Sequence, residues 1–78
     1  MLQLKRRRRE ALLVGDVEIR VIDYSGKELS YSVNGEQRIL QAQSEADLGE
    51  FQLFYKGSER GGAQIGIRAP RHIPIVRV

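Results

Sequence analysis

Apolar residues in this 78-residue chain recur at every second position far more often than at the three-and-four spacing of a helix. Val17, Ile19 and Val21 alternate with Glu18, Arg20 and Ile22, and Phe51, Leu53 and Tyr55 alternate with Gln52, Phe54 and Lys56. Ile65 and Ile67 alternate with Gln64, Gly66 and Arg68. Successive side chains of a strand point to opposite faces, so a period of two makes one buried face and one outward face. Turn residues cut the pattern at Gly15-Asp16, Ser25-Gly26, Asn34-Gly35 and Ala69-Pro70. Asn-Gly between two alternating segments favours a two-residue type I′ hairpin, because both central residues take positive φ. The chain is therefore expected to be all-β, built of short antiparallel strands.

The remaining segments fill in that plan. Leu2 and Leu4 alternate with Gln3 and Lys5, giving a first strand, and residues 10–14 form a hairpin with the strand that starts at Val17. Residues 44–49, with Ser44 as a cap, Asp47 three positions on and Gly49 as a stop, predict at most one helical turn. Residues 57–62, rich in glycine and charge, predict a loop. Ile73, Ile75 and Arg77 line one side of a last strand. Pro74 in that strand has no N–H, so its nitrogen faces away from any paired neighbour.

A chain this short makes one small domain, near the lower limit of what a lone hydrophobic core sustains. It has no cysteine and one histidine, so neither disulfides nor a Cys/His zinc site can supplement the core. Burial shared with a second copy is the remaining device, and a homodimer is expected. No apolar run reaches the length of a membrane span and no signal-peptide core opens the chain, so a cytoplasmic protein with no membrane association is expected.

Charge is unevenly spread. Residues 1–20 hold six Lys/Arg against three acids, residues 21–59 three against seven, and residues 60–78 four against none. Two basic ends flank an acidic middle, and ends that meet in space make a basic surface. The run from Arg6 to Arg9 suits a solvated turn, phosphate contact or a general anionic patch. If it is strand, Arg6 and Arg8 share one face and Arg7 and Arg9 the other. His72, the only imidazole, stands beside Arg71 with no nucleophile or paired acid, and the glycines of 57–62 have neither P-loop nor Rossmann spacing. An enzyme is not expected, and no metal or other cofactor is called for.

Two stretches, MLQLKRRRREALLVGD-VEIRVIDYSG at the start and AQIGIRAPRHIPIVRV at the end, resemble the CsrA/RsmA family of carbon storage regulators. The family pattern is Met-Leu-x-Leu-x-Arg-Arg, a short hairpin with Ile-Gly-Asp, a Val/Ile strand, then Ile-Gly-x-x-Ala-Pro and a terminal strand ending in arginine. The match covers residues 1–26 and 63–77, and the second motif is the more specific. The resemblance implies a small antiparallel domain in an intertwined dimer, with the first strand of one subunit beside the last strand of the other. It implies recognition of single-stranded GGA in RNA hairpin loops, with repression of translation or altered mRNA stability. By matching position, the RNA-facing residues would be Leu4, Lys5, Arg6 and Arg7 on the first strand and Ala69, Pro70, Arg71, Ile73 and Arg77 on the last connection and strand.

The chain departs from the family in several places. Arg8-Arg9 replaces the usual glycine after the arginine pair, Gln64 stands where a basic residue is common, and His72 where an acid is common. Pro74 is unusual, and the family's C-terminal helix has no counterpart in these residues. Residues 27–62 form an acidic insertion that reads as a hairpin plus a strand. It would extend the sheet, take the helix's place as a lid, or offer Tyr31, Phe51, Phe54 and Tyr55 to a protein partner. A protein-interaction module or antagonist that keeps the fold without sequence-specific RNA binding is the alternative; a non-specific nucleic-acid binder is a further one.

Overall fold

The computed structural model describes all 78 residues, 1–78, and contains strands and turns but no helix. Nine strands run in chain order: β1 (Leu2–Arg6), β2 (Ala11–Val14), β3 (Val17–Tyr24), β4 (Glu28–Val33), β5 (Glu36–Gln41), β6 (Ser44–Asp47), β7 (Gln52–Glu59), β8 (Gly62–Arg68) and β9 (Ile75–Arg77). They form two antiparallel sheets, a four-stranded one ordered β1-β8-β7-β6 and a five-stranded one ordered β5-β4-β3-β2-β9. The all-β reading and the hairpins at Gly15-Asp16 and Asn34-Gly35 hold. Asn34 at φ 49° and Gly35 at φ 87° are the two left-handed residues that a type I′ turn requires.

Alternation sets the core. Leu12, Val14, Ile19, Val21, Leu29 and Tyr31 of one sheet meet Leu4, Phe51, Leu53, Tyr55, Ala63, Ile65 and Ile67 of the other side, all buried, in one contiguous cluster with Leu40. Of the four aromatic residues of the insertion, Tyr31, Phe51 and Tyr55 are core and only Phe54 is half-exposed. Residues 27–62 do not form a lid: β4 and β5 widen one sheet, while β6 and β7 widen the other. A Cα radius of gyration of 11.1 Å is that of a compact domain of this length, so the two sheets pack as one unit.

Two local expectations are corrected. The predicted helical turn at 44–49 is strand β6, because Ser44, Glu45, Ala46 and Asp47 pair with Tyr55, Phe54, Leu53 and Gln52. A one-turn helix has to pay its nucleation cost for almost no internal bonds, whereas the ladder to β7 fixes the four residues Ser44 to Asp47 and leaves Leu48 and Gly49 to the turn that follows. The predicted loop at 57–62 shrinks to a tight turn at Arg60-Gly61, since β7 continues to Glu59 through a bulge between Tyr55 and Gly57. Arg7 lies just past β1, and the last strand begins at Ile75, so Ile73 belongs to the connection that precedes it.

Candidate nucleic-acid interface

β1 and β9 are the outer strands of their two sheets, each hydrogen-bonded on one side only. In an antiparallel pair, residues directly opposite lie on the same face. Leu4 faces Ile65 and Arg6 faces Ala63, so Leu4 and Arg6 lie on the core side of β1, while Gln3 and Lys5, opposite Gly66 and Gln64, lie on its outward side. On β9, Ile75 faces Val14 and Arg77 faces Leu12, both core residues, so Arg77 occupies the core side of a marginal strand. It remains exposed there because no strand lies beyond it.

The ends of the two strands converge on one atom. Arg6 is the most enclosed ion-paired arginine, with a side chain 13 % exposed and its Nε 4.0 Å from the Glu10 carboxylate. Its Nε donates to Lys5 O at 2.9 Å and its Nη1 to Ala11 O at 3.4 Å. Val78 N donates to the same Ala11 oxygen at 3.2 Å. Between β1 and β2 the chain turns at 7–10: Arg7 N donates to Glu10 Oε1, Glu10 N donates to Arg7 O, and Arg9 takes a φ of 74°. The charged ends of the sequence therefore meet within a single chain.

Partners decide which cations remain available. Arg8 Nε lies 2.6 Å from Asp23 Oδ1, and its guanidinium sits 4.3 Å from the centre of the Tyr24 ring. The hydrogen bond from Arg8 holds the Asp23 carboxyl below the usual carboxylate range and raises the arginine's own pKa. Lys5 pairs with Glu59 at 3.0 Å and lowers that carboxyl in the same way. Arg20, Arg38 and Arg68 pair with Glu18, Glu36 and Glu45. Arg7, Arg9, Arg71 and Arg77 are exposed and have neither an ion pair nor a side-chain hydrogen bond.

The last connection forms a second basic point. Ile73 N donates to Pro70 O at 3.1 Å, closing a turn that presents Arg71 and His72 to solvent, and Gly15 N donates to Pro74 O, docking the segment on the β2–β3 hairpin. Ala69 and Ile73 are half-buried against the core, and Pro70 is exposed. Ile73 lines a cavity of about 270 Å³ with Val14, Val17, Leu48 and Phe51.

The expected residues thus separate into groups. Arg6, Arg7 and Arg77 gather at one end of the margin between the sheets, and Arg71 stands beyond the start of β9, past a segment 73–77 about 13 Å long. Lys5 looks out from the opposite face of β1. Leu4, 8 % exposed, and Ile73 turn their side chains to the interior. Arg9, already part of the basic run, is exposed and unpaired, and the structure adds Lys56 beside Gln3, a lysine marked in the sequence only by its sharing of a strand phase with Gln52 and Phe54. No family model, curated protein or solved structure matches the chain.

Proposed function

We propose that this protein binds single-stranded RNA, in the manner its sequence resemblance implies: GGA presented in hairpin loops, with control of translation or mRNA stability as the outcome. The observation that carries the reading is the convergence of the Arg6 guanidinium and the Val78 amide on the Ala11 carbonyl, which brings the exposed, unpaired residues Arg7 and Arg77 to the same end of the two outer strands β1 and β9. Unstacked loop bases offer faces and edges that planar guanidinium groups can cover, and phosphates supply the opposite charge. Pro70 stiffens the connection that carries Arg71, so that cation is displayed at low entropic cost. The preference for GGA rests on the resemblance alone. The half-paired strands β1 and β9 leave backbone groups open along both margins, which suits the expected pairing with a second copy.

A second reading, a protein-interaction module without sequence-specific RNA binding, is favoured by a different observation. Six of the thirteen Lys/Arg side chains, those of Lys5, Arg6, Arg8, Arg20, Arg38 and Arg68, already lie within reach of a carboxylate. That weakens the field available to phosphate.

Titration of the protein with a GGA-loop hairpin and with a twin whose loop is scrambled, with mass followed by light scattering, separates these readings. Tighter binding of the GGA hairpin by a dimer supports the proposal. Equal binding of both hairpins indicates a non-specific binder, and binding of neither leaves the protein-interaction module.

A further inference from the structure

We infer that the outward face of the four-stranded sheet carries a nucleotide subsite in which the insertion takes part, with Lys56 as its phosphate contact and Gln3 and Gln64 as its base-facing amides. This rests on the RNA reading above and adds a site on the opposite face of β1 from Arg6.

The bulge in β7 makes the site. Tyr55 pairs with Ile65 and Gly57 with Gln64, which leaves Lys56 without an opposite residue in β8. Gly57 takes a φ of 139°, open to glycine and rarely to other residues. A bulge bends its strand and re-aims a side chain. Here Lys56 reaches across β8 to β1, where its Nζ donates to Gln3 Oε1 at 3.4 Å. Together with Lys5, Gln64, Leu4 and Ile65, these residues line a groove of about 170 Å³. That is below the usual size of a site for a drug-like ligand and suits a single flat group.

The chemistry fits one nucleotide. Carboxamides donate and accept at once, so Gln3 and Gln64 match the mixed edges of a base. Two ammonium groups, each a compact point charge, flank them for a phosphate. Lys56 forms no ion pair and donates only to the neutral Gln3 amide, and the one carboxylate that feels its charge, Glu59, is itself held by Lys5. The groove lies on the opposite face of β1 from Arg6, so it enlarges the basic surface without using the open margin of that strand.

Glu59 opposes the ligand. Its carboxylate pairs with Lys5 at 3.0 Å and accepts from Gln64 Nε2. It competes with phosphate for the first donor and with a base for the second. Removal of that carboxylate therefore strengthens binding, the reverse of removing Lys56. An acidic residue of the insertion restrains the site while a basic one completes it.

The test is a polarisation titration with a fluorescent GGA-loop hairpin, using the full chain and the variants Lys56→Ala, Glu59→Gln, Arg77→Ala and, as a control away from both faces, Arg38→Ala. All are checked for a cooperative melting transition, with Glu59→Gln and Arg38→Ala expected to melt slightly lower because each loses an exposed ion pair. Lys56→Ala is expected to weaken binding several-fold and to lower the salt slope by about 0.7, one phosphate of a single strand. Glu59→Gln is expected to tighten it. If Arg77→Ala weakens binding while Lys56→Ala and Glu59→Gln leave it unaltered, the groove is not a subsite and the RNA reading stands. A parent protein that binds no RNA removes both.

Discussion

Arg6 and Val78 share a single acceptor, the carbonyl oxygen of Ala11. One donor ends the first strand and the other follows the last, so the two basic regions at opposite ends of the sequence become neighbours. β2 makes this possible by bonding β9 on one side and β3 on the other, while the tight turn at 7–10 returns the chain from β1 to Ala11. Proximity of the two basic regions is thus a property of one chain, in which β1 and β9 each keep one open margin.

Arg77→Ala tests the margin directly. Its guanidinium is exposed and has no internal partner, so its removal leaves the fold intact and takes away one planar cation. Affinity for a GGA-loop hairpin should fall by about 1 to 3 kcal/mol, as for a side chain that meets a base. Unchanged affinity in the folded variant would take Arg77 out of the interface.

Gly62→Ala tests the seat of Arg6. A Cβ built on Gly62, whose φ is 146°, would come 2.6 Å from Arg6 O and 3.0 Å from Arg6 C. Backbone cannot swing aside as a side chain can, so β1 must separate from β8 at that end. A loss of about 1 to 3 kcal/mol of stability is expected. Gly26→Ala, where the nearest atom is Ser58 Oγ at 3.9 Å, should cost less. Comparable urea midpoints for the two variants would refute the contact.

Particular residues show why part of this was legible and part was not. Asn34-Gly35 and the Val17-Ile19-Val21 alternation are local signals, and they read through to strands because nothing distant opposes them. Ser44 to Gly49 carries the local marks of a helix cap, yet Ala46 opposite Leu53 gains more from the ladder and the core than one turn of helix offers. Arg6 to Arg9 is a uniform run in sequence, but only tertiary partners separate its members: Ala11 O takes Arg6, Asp23 takes Arg8, and Arg7 and Arg9 are left free. The groove at Lys56 depends on a bulge, which is a matter of register between two strands and leaves no mark on the spacing within one.

Leu53→Ala tests the claim that the insertion is part of the core. Leu53 is fully buried on β7 between Ala46 and Ile67. Deleting it should cost about 2 to 5 kcal/mol, transfer and cavity together. Ile39→Ala, at a position 61 % exposed on β5, should stay within about 0.5 kcal/mol. Denaturant unfolding decides this: a small effect at Leu53 would mean that β6 and β7 can open without the rest.

Acid should act through two carboxylates. Asp23 is held low chiefly by the hydrogen bond from Arg8, then by Tyr24 N, and Glu59 chiefly by the hydrogen bond from Lys5. A carboxyl whose folded pKa lies below its unfolded value contributes stability that is complete above the unfolded value, near 4. The contribution is lost as pH falls from there through the depressed folded value, because the unfolded chain takes up its proton first. Both sites are open to water, so the effect is small at each and fades in high salt. Arg8→Gln and Lys5→Gln should each start slightly less stable at neutral pH and lose less than the parent on acidification, so that the curves approach one another below pH 4. Melting temperatures recorded across that range at low ionic strength give the answer, and parallel curves would mean that neither pair stabilises the folded state.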